Sequence, residues 1–165
     1  MNKLSVAMVL ALLAMSAHAD EAGLFGKGHT NFSMGGGNGQ AFNSNYFVIS
    51  ASANYYAMDG LGVGFSFENW SGGDHRITKL SPSVQYVFYK IPTVQPYVGG
   101  FYRHTTVSGL PDIASYGARV GINMASGANA YVSAGLVYEG YLNCQESIYR
   151  SCRATYPDIN FTVGF

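Results

Sequence analysis

The sequence predicts an all-β fold, an eight-stranded antiparallel up-and-down transmembrane barrel, on three observations. Apolar residues recur at every second position through most of the chain, which is the period of a strand with one apolar and one polar face. Only 11% of the 165 residues are charged while 15% are aromatic and 21 are glycine. That composition suits strands that face an apolar medium on one side and a narrow polar interior on the other. Finally, the segment Ile159-Asn160-Phe161-Thr162-Val163-Gly164-Phe165 puts Ile159, Phe161, Val163 and Phe165 on one face, and its last residue is aromatic.

The chain begins with a segment that is not part of the fold. Lys3 precedes an apolar run over residues 4–15, and Ala17-His18-Ala19 is a small-x-small cleavage site. Residues 1–19 therefore read as a secretory signal peptide. Cleavage would leave Asp20 first, and without a cysteine there a lipoprotein anchor is not expected. No later run approaches the ~18 apolar residues of a spanning helix. Residues 20–27 read as a short periplasmic tail and residues 28–165 as one barrel domain. The formal net charge is zero, which implies no nucleic-acid partner.

The strands follow in order as residues 28–36, 44–56, 61–70, 77–89, 95–106, 113–124, 128–141 and 154–165. Their lengths suit tilted strands that cross a bilayer with about ten residues each. Ala57-Met58-Asp59-Gly60 and Ala125-Ser126-Gly127 are tight turns with glycine to take positive φ. Lys90-Ile91-Pro92-Thr93-Val94 is also short, and its proline cannot sit inside a ladder. The connections 37–43, 71–76, 107–112 and 142–153 are longer and more polar. This asymmetry places both chain ends on the short-turn, periplasmic side. Gly35-Gly36-Gly37-Asn38-Gly39 lacks the context and lysine of a phosphate loop; it reads as a strand end and a mobile outer loop.

The faces follow from the alternation. Phe47, Ile49, Ala51, Ala53 and Tyr55 oppose Ser50, Ser52 and Asn54, and Val63, Phe65 and Phe67 oppose Gly64, Ser66 and Glu68. Tyr131, Ser133, Gly135 and Glu139 oppose Val132, Ala134, Leu136 and Tyr138. Eight strands enclose little room, so the bulky face must look outward, toward lipid, and Gly and Ser must look in. Tyr46, Tyr55, Tyr56, Trp70, Tyr89, Tyr97, Tyr141 and Tyr156 lie near strand ends and are expected in two interfacial girdles. A secreted lipocalin-like barrel or β-sandwich would explain the leader and the alternation, but not the small polar face or the terminal Phe165.

The terminal aromatic with its period-two partners Phe161 and Val163 resembles the C-terminal signal of Gram-negative outer-membrane barrel proteins. Gln95-Pro96-Tyr97-Val98-Gly99-Gly100 is similar to the start of the fifth strand in opacity-like barrels. Together these features resemble the small eight-stranded outer-membrane barrels, the group of the OmpA transmembrane domain, OmpX-like and opacity-like proteins. The resemblance implies an integral outer-membrane monomer in contact with lipid and lipopolysaccharide. It also implies delivery by periplasmic chaperones and barrel-assembly machinery that read Phe161, Val163 and Phe165. It fixes place and fold better than activity.

Chemistry-bearing residues concentrate inside. Glu68, Lys79, Gln85, Arg119, Glu139, His29 and Asn31 are expected to form a polar network in the lumen, joined by either Arg103 or His104. A charge in a narrow lumen must be paired, because leaving it dry and unpaired costs several kcal/mol. Cys144 and Cys152 fall in the last long connection of an exported chain and are expected to form a disulfide, contributing on the order of 2–3 kcal/mol. Two sulfurs without a nearby His make a poor metal site, and no cofactor is implied. These readings favour a non-catalytic structural or surface-contact protein. A narrow passage for small or apolar solutes is one alternative. A lipid A-modifying enzyme is the other: one barrel family that removes an acyl chain uses a His-x-Ser pair, which His104 and Thr106 resemble with Thr in place of Ser. Glu68 or Glu139 would then be the orienting acid.

Overall fold

In the computed structural model, which describes residues 23–41, 44–91, 93–127, 129–142, 144 and 152–165, eight strands close into one barrel. They are β1 (Thr30–Ala41), β2 (Ser44–Met58), β3 (Leu61–Ser71), β4 (Ile77–Val87), β5 (Val94–Val107), β6 (Ile113–Ala125), β7 (Ala130–Tyr141) and β8 (Arg153–Gly164). Each pairs antiparallel with the next in sequence, and β8 returns to β1. Residues 1–22, which include the expected signal peptide, lie outside the described residues.

The alternation that predicts the strands also sorts their faces. Phe47, Ile49, Val63, Phe65, Phe67, Val84, Val98, Val120, Leu136 and Phe161 stand exposed on the outside. Asn31, Ser33, Asn54, Ser81, Ser115, Asn123, Ser133 and Thr162 are buried inside. An exposed apolar belt on every strand, around a polar interior, is the inverse of a soluble barrel and is stable only in hydrocarbon. Every spanning strand of a closed barrel finds main-chain partners on both sides, which hydrocarbon demands.

Two ladders depart from regularity. Between β4 and β5 the pairing runs to Leu80↔His104 and resumes at Ser83↔Phe101; the interruption falls at Pro82, which has no N–H to give. The closing seam has only four register pairs, from Asn31↔Gly164 to Met34↔Phe161, against twelve between β1 and β2. At its inner end Thr30 and Phe165 exchange both main-chain hydrogen bonds, at 3.1 and 2.9 Å.

Three expectations are corrected. The glycine run 35–39 is strand, not loop, so the first outer connection shrinks to residues 42–43. Glycine serves here because a larger residue at Gly39 would collide with the Trp70 ring. The outer connections 42–43, 72–76, 108–112 and 142–152 and the inner ones 59–60, 88–93 and 126–129 are therefore less asymmetric than expected. The tail at 20–27 does not simply trail away from the barrel. Its residues Gly23–Phe25 form a 3-10 turn whose Phe25 ring enters the inner mouth of the lumen and is 4% exposed. Burying such a ring contributes roughly 2 kcal/mol.

The girdles are the third correction. Tyr46, Tyr56 and Tyr97 are buried inside the barrel, Trp70 packs against Tyr46 with centroids 5.7 Å apart, and Tyr156 bonds to lumen charges. Of the expected set Tyr55 faces outward, 48% exposed. The outer aromatic band is instead Tyr102, Tyr116 and Tyr138, and the inner one Tyr55, Tyr86 and Phe88. The Tyr86 and Phe88 rings meet edge-on at 5.1 Å. A tyrosine suits both a membrane interface and a wet lumen, since both offer an apolar wall and a partner for its hydroxyl.

Candidate functional site

The lumen is stacked in four layers from the outer end inward. The outermost is apolar, with Tyr46, Ile77 and Val107 buried together and Ala41 and Trp70 packed against them. The innermost is apolar too, with Phe25, Tyr56, Val87, Tyr97 and Tyr131 in one cluster. The polar chemistry lies between.

The second layer holds four charges. Register sets Glu68 of β3 opposite Lys79 of β4, and their side chains pair at 3.0 Å. The indole N–H of Trp70 also donates to Glu68 Oε1, and Lys79 Nζ lies 4.2 Å from the Trp70 ring centroid, a favourable cation–π distance. Deeper in the wall, Arg103 Nη1 donates to Glu139 Oε2 at 2.7 Å and to Tyr156 Oη at 2.8 Å, and its Nε donates to Ser81 Oγ at 3.0 Å. Glu139 also accepts from the Tyr156 hydroxyl at 2.7 Å and the Ser115 hydroxyl at 2.5 Å. Glu139 is 2% exposed. Its ionised form is held by three donors, the arrangement that offsets the cost of taking charge out of water.

The third layer is a polar cavity of about 30 Å³ lined by Ser33, Ser52, Asn54, Gln85, Tyr97, Arg119, Asn123, Tyr131, Ser133, Asp158, Asn160 and Thr162. That is room for one or two waters. Asn160 Nδ2 donates to Asp158 Oδ1 at 2.8 Å, and the Ser133 hydroxyl to Asn123 Oδ1 at 2.7 Å. Below it, Gln85 Nε2 donates to the Tyr56 hydroxyl at 2.9 Å and Asn31 Nδ2 to the Tyr131 hydroxyl at 3.1 Å. Arg119 Nε, Asn31 Oδ1 and His29 Nδ1 are buried with no hydrogen-bond partner among the described residues.

The expected single network is thus two. Glu68, Lys79 and Glu139 meet in the charged layer, whereas Arg119 and Gln85 line the cavity and Asn31 lies beside Tyr131. His29 precedes β1 and ties to β2 by its carbonyl, which accepts from Tyr56 N at 3.0 Å. The partner of Glu139 is Arg103. On β5 the inward residue is Arg103, and His104 faces out, bonded to Asp112 Oδ2 at 3.0 Å. Glu68 and Glu139 point into the lumen and cannot orient His104. Sequence reasoning overlooked Tyr156 and Asp158 as lumen groups; Asp158 had a readable signal, since it shares the inward parity of Asn160 and Thr162. Cys144 and Cys152 form a disulfide; residues 145–151 between them lie outside the described residues.

No family model and no curated protein sequence matches the chain. Solved structures do match. The N-terminal β-barrel domain of Pseudomonas aeruginosa OprF superposes with a TM-score of 0.65 at 14% identity, covering 85% of this chain and 99% of that one. OprG of Pseudomonas aeruginosa gives 0.53 at 14% identity, over 88% and 99%. Neisserial surface protein A gives 0.52 at 16% identity, over 82% and 93%. With the apolar belt on its own outer face, the chain is an integral β-barrel with the fold of small Gram-negative outer-membrane proteins.

Proposed function

We propose that this barrel is a non-catalytic structural protein of the outer membrane, a monomer whose outer connections make surface contacts and whose lumen is packed shut. The observation that carries this reading is the Arg103–Glu139 ion pair, held by Ser81, Ser115 and Tyr156 in a lumen with an apolar cluster toward each end. Eight-stranded interiors are filled by side chains, and here a polar cavity of about 30 Å³ is flanked by the charged layer and the Phe25 cluster. The surrounding lipid and lipopolysaccharide are then its solvent, and Phe161, Val163 and Phe165 on β8 its handle for chaperones and assembly machinery. Purified protein in planar bilayers is expected to give no regular current steps above the lipid baseline; reproducible steps would favour the narrow passage for small or apolar solutes.

One observation favours a second reading, hydrolysis of a lipid A acyl chain. His104 Nε2 and Asp112 Oδ2 are 3.0 Å apart at the outer end of β5 and outside the barrel, and Thr106 is exposed on the same face. A base oriented by a carboxylate beside a hydroxyl is the arrangement nucleophilic catalysis needs. Lipid A masses are expected to be the same with and without the protein. Loss of one acyl chain that disappears in His104→Ala would replace the structural reading with this one.

A further inference from the structure

We propose that the Gly23–Phe25 turn is a displaceable stopper on the inner mouth of the lumen, and that its release admits water and small hydrogen-bonding solutes to the polar cavity behind it. This goes beyond the structural reading above and holds whether or not the lumen conducts, because it concerns only the inner mouth.

The Phe25 ring sits 5.0 Å from the Tyr131 centroid and 5.7 Å from that of Tyr56, with Val87 and Tyr97 completing its socket. Yet the turn is no part of the wall. It is held by Gly60 N–H donating to the Phe25 carbonyl at 2.8 Å and by Lys27 N–H donating to Asp59 Oδ1 at 2.8 Å. Both partners belong to the β2–β3 turn, where Asp59 is exposed and Gly60 is buried with its carbonyl accepting from Val87 N–H at 2.8 Å; a further tie runs from Gly28 N–H to the Tyr56 carbonyl at 2.8 Å. The joint to β1 runs through Gly28 at φ +89°, a backbone setting that glycine adopts without strain. A segment with few main-chain ties and one large apolar anchor opens at lower cost than the sheet it leans on.

The socket and the cavity share walls. Tyr97 and Tyr131 touch the Phe25 cluster and also line the cavity, so removing the ring brings solvent to the cavity floor. Three buried polar atoms lie unbonded at or above the stopper, namely His29 Nδ1, Asn31 Oδ1 and Arg119 Nε. Leaving such groups dry is costly, and a polar molecule arriving from the inner side would bond them.

The test uses Ser133→Cys, whose site lines the cavity, in proteoliposomes treated at the inner mouth with a small membrane-impermeant methanethiosulfonate reagent. The two native cysteines are already joined and stay silent. Adding Phe25→Ala is expected to raise the labelling rate about tenfold or more, and Phe25→Leu to restore slow labelling. Heat-shifted gel mobility confirms that each barrel is folded. Equal rates with and without Phe25→Ala overturn the proposal. The unsubstituted protein supplies an independent check by hydrogen exchange. The Gly60 amide should exchange well ahead of the β2 and β4 ladder amides, and exchange in step with them makes the turn part of the wall and overturns the stopper.

Discussion

Glu139→Ala is expected to destabilise the folded barrel by about 3–5 kcal/mol, because it strands Arg103 in the wall as a buried charge without a counter-ion. Arg103 would keep Ser81 and Tyr156 as partners, but both are neutral. The Ser115 and Tyr156 hydroxyls would lose their acceptor as well. The Glu68–Lys79 pair offers the contrast. Its side chains are 24% and 19% exposed, so Glu68→Ala leaves Lys79 closer to water and should cost clearly less. A double substitution, Arg103→Met with Glu139→Leu, should recover much of the loss by replacing the ion pair with apolar packing. Urea unfolding in lipid vesicles would measure all three, with the single Trp70 as the fluorophore. A cost below about 1 kcal/mol for Glu139→Ala would mean that Arg103 is solvated, and the plug would no longer support a shut lumen.

Gly121→Val should prevent the folded barrel from forming, at a cost of about 3 kcal/mol or more. Gly121 of β6 stands opposite Gly135 of β7, and the Tyr97 ring lies over the pair. A Cβ at Gly121 would fall against the Ala134 carbonyl oxygen and 2.7 Å from both Gly135 Cα and Tyr97 Oη. A Cβ at Gly135 would come within 2.5 Å of Tyr97 Oη and 2.6 Å of the Val120 carbonyl oxygen. Two of the obstacles at Gly121 are main chain held in the β6–β7 ladder and cannot swing aside as a side chain can. Gly37→Ala is the control, since a Cβ there meets nothing within 4 Å. The heat-shifted folded band on cold gel electrophoresis should vanish for Gly121→Val and persist for Gly37→Ala. A persisting band for Gly121→Val would show that β6 and β7 can part to make room.

The strands could be read from the sequence because one face of each had to be apolar and the other small or polar, and that leaves a period of two. The facing of β5 could not. Phe101-Tyr102-Arg103-His104-Thr105-Thr106 pairs like with like, so neither parity looks more apolar than the other. What settles it is Glu139 on β7, two strands along the wall, which pairs with Arg103 inside the lumen. Tyr46, Tyr56, Tyr97 and Tyr156 were misplaced for a related reason: glycines on β6 and β7 make room in the narrow interior, and Tyr97 packs directly against Gly121 and Gly135. Phe25 left no periodic trace at all. A single apolar residue ahead of the first strand reads as tail until the socket of Tyr56, Val87, Tyr97 and Tyr131 is assembled from four different strands.

The short ladder between β1 and β8 ties the first strand of the barrel to the eighth. Such pairing has the longest loop to close, so it forms late and slowly. A chain cut off before Phe161 would keep its hairpins but have nothing to lay along β1. That edge would then meet hydrocarbon with its N–H and C=O groups bare, at several kcal/mol for each. Closure thereby makes β8 the condition for every other strand: without it the barrel keeps two open edges that hydrocarbon cannot satisfy.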